Sequence, residues 1–203
     1  QYDHEVQCTS ILKPLQGKGK VFSDSTAIKP LFNSKKCIVT SQGIYPNYSN
    51  LDAYKMAACS IDTAIRNLIV TGCNLSSIAL LDNFCWCSPE EPEKIYQLKE
   101  ALKACYDLST KFRTPFISGK DSMYNDFNGY DKKNRKVKIS ILPTVLISSI
   151  GIIKDYNDLL SIVPRKFGDL IFMIGKTDSE MGGTEYEKVF GYENRSIPQV
   201  DKD

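Results

Sequence analysis

A short apolar run, Ile78–Leu81, lies between two longer stretches whose apolar residues recur at three- and four-residue intervals. The run is too short for a helix and is typical of a strand buried on both faces. The pattern before it predicts a helix that starts near Leu51 and stops at Gly72, and the pattern after it predicts a helix that opens at Ser88–Glu91. A strand between two such helices restricts the chain to the α/β or α+β class.

Both predicted helices are amphipathic, because their apolar residues fall on one side at the helical period. These residues are Ala57, Ile61, Ala64, Ile65 and Leu68 in the first helix, and Ile95, Leu98, Leu102, Cys105 and Leu108 in the second. Pro115 forbids continuation of the second helix. Asp82 and Asn83 directly follow the buried run, so the sequence predicts that this polar pair stands at a strand end.

Other strands are predicted from short runs rich in β-branched residues. They fall at Cys37–Thr40, at Phe116–Ile117, once or twice within Ile139–Ile153, and at Leu170–Gly175. Between them, residues 43–50 and the polar stretch up to Lys138 are predicted to be loops.

The pattern divides the chain into three parts. Residues 1–35 are predicted to be an extended lead-in segment with one or two edge strands, and residues 36–163 the main domain. Residues 164–203 are predicted to begin another domain, with the boundary near Pro164.

Composition excludes several classes of protein. The 26 basic and 24 acidic side chains are spread along the chain, so no electrostatic footprint for nucleic acid is expected. No apolar run approaches the roughly 20 residues that cross a bilayer, and no membrane association is predicted. The first residue, Gln1, with neither an initiator Met nor a signal-peptide pattern behind it, indicates an internal start. The seven cysteines lack zinc-knuckle spacing and are interpreted as reduced thiols of a cytoplasmic protein, with Cys59 and Cys105 packed on helix faces.

Two polar motifs are the candidates for chemistry. Asp82–Asn83 and Gly119–Ser122 each follow a short apolar strand, which is where α/β proteins gather ligands. Gly119 lets the backbone approach a phosphate and Lys120 supplies a positive charge, while Asp121 offers an oxygen ligand for Mg²⁺ and Ser122 donates a hydrogen bond. The motifs therefore predict a Mg²⁺-phosphate site, although Gly-Lys-Asp-Ser is also an ordinary surface turn.

The remaining candidates have simpler explanations. A P-loop is excluded, because Thr114 occupies the position of its first glycine and Asp121 that of its hydroxyl. His4, the single histidine, is expected to be structural, and Trp86 is expected to lie in the core. Gly182–Gly183 is interpreted as a tight turn rather than a phosphate loop.

Several segments, in this order, closely resemble the phosphoribosylformylglycinamidine synthase family. They are Tyr2–Gln7, Ala79–Trp86, Thr114–Met123, Leu142–Ser148, Gly168–Ile171 and Met181–Tyr186. The resemblance covers nearly the whole chain. In that family, the synthetase part holds two modules similar to aminoimidazole ribonucleotide (AIR) synthase, each with an N-terminal and a C-terminal α/β domain.

The resemblance implies that residues 36–163 are the ATP-binding N-terminal domain of the second module, a mixed sheet with helices on one face. Residues 164–203 would then begin the following C-terminal domain. In the family, the two N-terminal domains pair through their sheets, and an active site forms across the pairing. The implied partners are the first module, a glutaminase, ATP and formylglycinamide ribonucleotide, and the implied reaction is the ATP-dependent formation of an amidine from a formamide and ammonia.

The resemblance also implies roles for individual residues. Asp82, Gly119 and Lys120 would contact ATP, and Ser122 would contact the substrate. Small-subunit members carry Asn and Val after the glycine, where this chain has Lys120 and Asp121. We expect Asp121 to be the Mg²⁺ ligand, since an ammonium group cannot coordinate a cation. The family's catalytic histidine lies in the first module, so no catalytic residue is assigned here.

Two alternatives stay open. The segment is either a catalytic half-site or a scaffold that holds a nucleotide only structurally. A kinase-like or selenophosphate-synthetase-like relative would share the fold, but Leu81–Trp86 argues against it. The isolated chain is expected to lack synthase activity, to bind Mg²⁺-ATP weakly at most, and to form a homodimer through its exposed pairing face.

Overall fold

The structure, a computed structural model, describes residues 8–192 and 196–202. His4 and the resemblance at Tyr2–Gln7 lie outside the described residues. The strands are β1 Ser10–Leu12, β2 Leu15–Gln16, β3 Val21–Phe22, β4 Thr26–Ile28, β5 Cys37–Ile44, β6 Ala79–Cys85, β7 Phe116–Ser122, β8 Asp126–Tyr130, β9 Lys136–Ser140 and β10 Thr144–Ile153. The helices are α1 Ala53–Val70, α2 Pro92–Phe112 and α3 Glu185–Phe190.

A six-stranded sheet in the order β1-β4-β5-β10-β6-β7 forms the centre of the fold. The pair β6–β7 is parallel and every other neighbouring pair is antiparallel, so the sheet is mixed. A parallel pair needs a long crossover, and α2 supplies it between β6 and β7. This arrangement confirms the predicted α/β class with a mixed sheet.

Helix α1 covers one face of the sheet. Asp52 caps its first turn by accepting from the Lys55 amide at 2.9 Å. Ser149 of β10 donates to the Ala64 carbonyl of α1 at 2.8 Å. The β10 residues two and four positions from Ser149 therefore lie on the same face and point toward the helix. This helix side holds the core, which includes Val39, Ile147 and Leu80, all fully buried.

The opposite face of the sheet, here called the open face, carries Ile38, Gln42 and Ile44 of β5 and Leu146, Ile150 and Ile152 of β10. Ile44 is 49% exposed and Ile152 is 54% exposed. The sheet is therefore packed on one side and largely solvent-facing on the other, as the predicted arrangement of helices on one face requires.

The prediction of a loop from residue 43 was wrong at its start, because β5 continues through Gly43 to Ile44. A Cβ atom at Gly43 would lie 2.1 Å from the Ser60 carbonyl oxygen of α1. Glycine is therefore needed here for close approach of helix and strand, and not for a turn.

The predicted ends of β6 and β7 were also wrong. Asp82 and Asn83 lie inside β6, and Gly119 to Ser122 form the second half of β7. Parallel pairing continues to Cys85 and Ser122, so both polar motifs take part in the sheet, β6 as an inner strand and β7 as an edge strand. β6 is also not buried on both faces, since Leu80 is buried while Ala79 and Leu81 are half-buried.

Two further predictions need correction. The stretch before Lys138 is not a loop but the hairpin β8–β9, in which Asp126 pairs with Ser140. On α2, Ile95 and Leu102 are about half exposed, and the small residues Ala101 and Ala104 contact the core instead.

One or two edge strands were predicted in the lead-in segment, which contains four short strands: β1 and β4 extend the main sheet, with β1 at its edge, and β2 and β3 form a separate pair. The strand predicted at Leu170–Gly175 is absent from the described structure, and its residues are exposed, Ile171 at 96%. A strand requires partner strands, and within the described residues none lies beside it. No helix in the described part of the chain is long and apolar enough to cross a membrane.

Candidate functional site

Asp82 and Gly119 face each other across the parallel pair β6–β7. Asp82 pairs with Ile147 on its other side, which places its carboxylate on the helix side of the sheet. A Cβ atom at Gly119 would lie 2.6 Å from Asp82 Oδ1, so the carboxylate occupies the space that a side chain would take. The glycine thus makes room for the aspartate.

The Asp82 carboxylate is electrostatically unfavourable where it stands. Burial raises its pKa above the ordinary value, and the charge of Asp121 raises it further. The backbone amides of Lys120 and of Asp82 itself donate to the carboxylate and partly offset the rise in pKa. A cation beside Asp82 would therefore remove a penalty that is built into the fold.

Asp121 follows Gly119 by two positions on β7, so both belong to the helix side of the sheet. It pairs with Phe84, which is buried on that side. Asp82 and Asp121 therefore form an acidic pair on one side of two neighbouring strands. Two carboxylates in this arrangement suit a hard divalent cation.

Lys120 and Ser122 alternate with this pair and lie on the open face. The Lys120 ammonium donates to the Ser122 hydroxyl, as expected for residues two apart on one face of a strand. The structure thus brings together Asp82, Gly119 and Asp121 but separates them from Lys120 and Ser122 by the thickness of the sheet. Gly119–Ser122 was interpreted as one loop, but its residues lie alternately on opposite faces of the sheet.

The period of two in Gly119–Ser122 was the sequence signal that could have revealed this separation. The interpretation missed it because Gly, Lys, Asp and Ser are all common in turns. Trp86 is fully buried and donates from Nε1 to the Lys94 carbonyl at 3.0 Å, which confirms its place in the core. Cys59 and Cys105 are buried as predicted, and each of the seven cysteines is free.

Two observations limit what the chain holds by itself. Among the described residues, no group of three or more His, Cys, Asp or Glu side chains could bind a metal ion. A cavity of about 560 Å³ lies between α1, α2 and residues 199–202, and the acidic pair does not line it. This cavity and the charged motifs are therefore in different places, and the carboxylates make the motifs the better candidate for a metal-nucleotide site.

Residues 23–152 match the family of AIR synthase related proteins through the N-terminal domain of that family. The chain belongs to this family. The match begins just before β4 and ends within β10, so it spans every strand of the main sheet except β1, together with α1, α2 and both polar motifs.

More specifically, the chain is similar to the PurL subunit of phosphoribosylformylglycinamidine synthase. It is 30% identical to this subunit from Thermoplasma acidophilum, with 100% of the chain and 26% of the relative covered. It is 32% identical to the subunit from Thermococcus sibiricus, over 99% of the chain and 25% of the relative. The chain therefore spans about a quarter of the length of these relatives.

Solved structures show the same fold. The structure of PurLQS from Thermotoga maritima superposes with a TM-score of 0.61 at 15% identity, covering 81% of this chain and 24% of that one. Thermotoga maritima PurL complexed with AMPPCP gives 0.58 at 17% identity, covering 78% and 24%. These likenesses, together with the family match, confirm the resemblance found in the sequence motifs.

Proposed function

We propose that the chain supplies one half of a Mg²⁺-ATP site in a phosphoribosylformylglycinamidine synthase. The acidic pair is the observation that carries the proposal, because Asp82 and Asp121 lie together on one side of β6 and β7 at a cost in free energy that a cation would relieve. Relatives with the same fold have been solved with AMPPCP and with formylglycinamide ribonucleotide (FGAR), which supports nucleotide and substrate binding by this segment.

The residues present fit Mg²⁺. Asp121 and Asp82 would hold the ion, and Gly119, which has no side chain, leaves room for the Asp82 carboxylate beside it. Two carboxylates do not fill six positions, so the other ligands would be phosphate oxygens, water and groups from a paired module. Mg²⁺, when bound, neutralises the charge of the transferring phosphoryl group.

The second half-site has a different role in this proposal. Lys120 and Ser122 lie on the open face, where they would meet the substrate and the first AIR-synthase-like module of the enzyme. The open face, with Ile44 and Ile152 exposed, would pair with that module. A glutaminase would supply ammonia, and the seven free cysteines accord with a cytoplasmic enzyme.

The test is the variant Asp121→Ala in the complete synthase, with Lys132→Ala on the β8–β9 turn as the control. The proposal expects turnover to fall at least about tenfold, the loss of roughly one charge-assisted interaction, and to recover partly at high Mg²⁺. Unchanged turnover with unchanged Mg²⁺ dependence contradicts it.

Gly119→Ala makes a second test that does not change any charge. Its backbone is not in the left-handed region, and the atom that a new Cβ would meet is the Asp82 carboxylate, which can rotate away. We expect the fold to survive and Mg²⁺-ATP affinity to fall by about tenfold. Measurement of the melting temperature and of nucleotide affinity on the same sample separates the two effects.

One observation favours the alternative of a structural nucleotide. The acidic pair is on the helix side, away from the open face through which the proposed pairing would bring the reacting partners. A scaffold site would keep its ADP throughout turnover. If radiolabelled ADP bound at this site never exchanges while product accumulates, the scaffold is correct and the catalytic half-site is wrong.

A further inference from the structure

The last part of the chain packs onto the helix layer although the residues before it are exposed. Phe167 and Leu170–Ile174 are 77% exposed or more, whereas Ile197 is only 1% exposed. The chain therefore becomes buried again after the exposed stretch, through contacts with residues far away in the sequence.

Residues 196–202 lie across α1 and α2 and contact both helices. The Lys55 ammonium of α1 donates to the Ile197 carbonyl at 3.5 Å, and the Cys59 thiol donates to the Pro198 carbonyl at 3.5 Å. Ile197 belongs to the core, and Val200 packs against it. An extended segment is thus held by its backbone carbonyls and by one buried apolar side chain.

A charged network fixes the end of this segment. The Lys202 ammonium lies 5.0 Å from the centre of the Tyr54 ring and donates to the Tyr54 hydroxyl at 2.5 Å. That hydroxyl donates to Asp107 of α2 at 2.8 Å, and Lys103 donates to the same carboxylate at 2.6 Å. The pKa of Asp107 is held below its ordinary value, mainly by the hydrogen bond from Lys103 and then by the one from Tyr54, and the charge of Lys202 adds to this effect. One cation from the segment therefore joins α1 to α2.

A second set of contacts secures the chain just upstream of the segment. The Gly182 amide donates to the Ser196 carbonyl at 2.8 Å, and Asn47 donates to Glu185 at 3.1 Å. Gly183 lies against Tyr48 so closely that an added Cβ would be 2.8 Å from the ring.

We propose that residues 196–202 form a strap that docks across α1 and α2. The strap holds the downstream part of the chain, which follows the exposed stretch at residues 170–175, to the helix side of the sheet. The strap works independently of the exposed stretch before it. It also leaves the open face uncovered, so attachment of the downstream part does not compete with pairing through the sheet. The proposal does not rest on the nucleotide site.

The test is a cut in the exposed stretch of the full chain. Residues 170–175 are replaced by the recognition sequence of a site-specific protease, the chain is cleaved, and size-exclusion chromatography with native mass spectrometry measures whether the two pieces stay together. The strap predicts that they co-elute as one complex. Separation of the pieces on cleavage of the otherwise unaltered chain overturns the proposal.

Variants locate the contact. Ile197→Asp is expected to release the downstream piece, with affinity reduced at least tenfold, and Lys202→Ala to reduce the affinity several-fold, less so for Lys202→Arg. Lys176→Ala is the control, because Lys176 is exposed and pairs with Asp178, away from the strap, and it should change nothing. Retention of the piece by Ile197→Asp, or its release by Lys176→Ala, contradicts the strap. Circular dichroism of each variant checks the fold, and Lys202→Ala alters only a partly exposed side chain.

Discussion

The two faces of the central sheet use the same strands and much the same β-branched residues, yet they lie in opposite environments. Ile147 on the helix side is fully buried, whereas Ile152, five residues later on the open face of β10, is 54% exposed. Soluble domains rarely leave a continuous apolar surface to water. The comparison indicates that the helix side is a finished core, and it supports the proposal that the open face meets a partner.

The same comparison divides the polar motifs. The acidic pair, Asp82 and Asp121, stands on the side with the helices, and Lys120 and Ser122 stand on the side without them. A motif that is continuous in sequence thus serves two surfaces, because successive residues of a strand point to opposite faces. If the proposal is correct, metal and substrate contacts can be altered separately by mutation.

The largest expected effect is on the free energy of unfolding, when one isoleucine on each face is replaced by alanine. Ile147→Ala should lower the free energy of unfolding by about 2–4 kcal/mol, since it leaves a cavity in a filled core. Ile152→Ala should lower it by less than about 1 kcal/mol in the isolated chain. Urea denaturation of both variants measures the difference, and equal losses would erase the distinction between the faces.

A charge on the open face sharpens the comparison. Ile44→Glu with Ile152→Glu should leave the fold intact and weaken self-association of the isolated chain by about tenfold or more, because carboxylates would be buried in the contact. Ile95→Glu, at a residue that is 49% exposed on α2, is the control. Analytical ultracentrifugation measures the effect. If the unaltered chain is monomeric, or if Ile95→Glu weakens self-association equally, the open face is not the surface through which the chain self-associates.

The smallest expected effect is on stability, from Asp82→Asn. Asp82 has a raised pKa in the folded chain, so its ionisation costs stability as pH rises from the unfolded value of 3.8 through the folded pKa. Below that window, the carboxyl is protonated in both states, and variant and parent should melt alike. Above it, the variant should melt at a higher temperature, although it loses Mg²⁺-ATP binding. Melting curves between pH 3.5 and 7.5 test this, and a variant that melts lower at pH 7.5 refutes the penalty.

Periodicity predicted the fold well where a tertiary contact agrees with the local pattern. The helix predicted from near Leu51 to Gly72 shows its apolar face and its stop in the sequence, and both appear in α1. The strand β10 was likewise visible as a β-branched run. These elements have local signals that are strong enough to decide their form.

Prediction from the sequence failed where the local structure is determined by contacts with residues far away in the sequence. Gly119–Ser122 has turn composition, but parallel pairing with β6 makes it a strand. Gly43 was predicted to open a loop, but it lies in β5, and α1 approaches so closely that only a residue without a side chain fits there. Leu170–Gly175 has strand composition without a strand beside it among the described residues. The strap lacks any periodic signal, since its contacts are with helices that lie far earlier in the sequence, those with α1 more than a hundred residues earlier.

The acidic pair can be tested most directly by placing a paramagnetic ion at the proposed metal site. Mn²⁺ with ATP is titrated into the isotope-labelled chain, and the broadening of backbone amide signals is recorded. The account predicts that the amides of Asp82, Gly119, Lys120 and Asp121 broaden first, and that Asp121→Asn abolishes this broadening. Broadening centred elsewhere, for example at Asp178 and Glu180, with these four signals unaffected, would contradict this expectation.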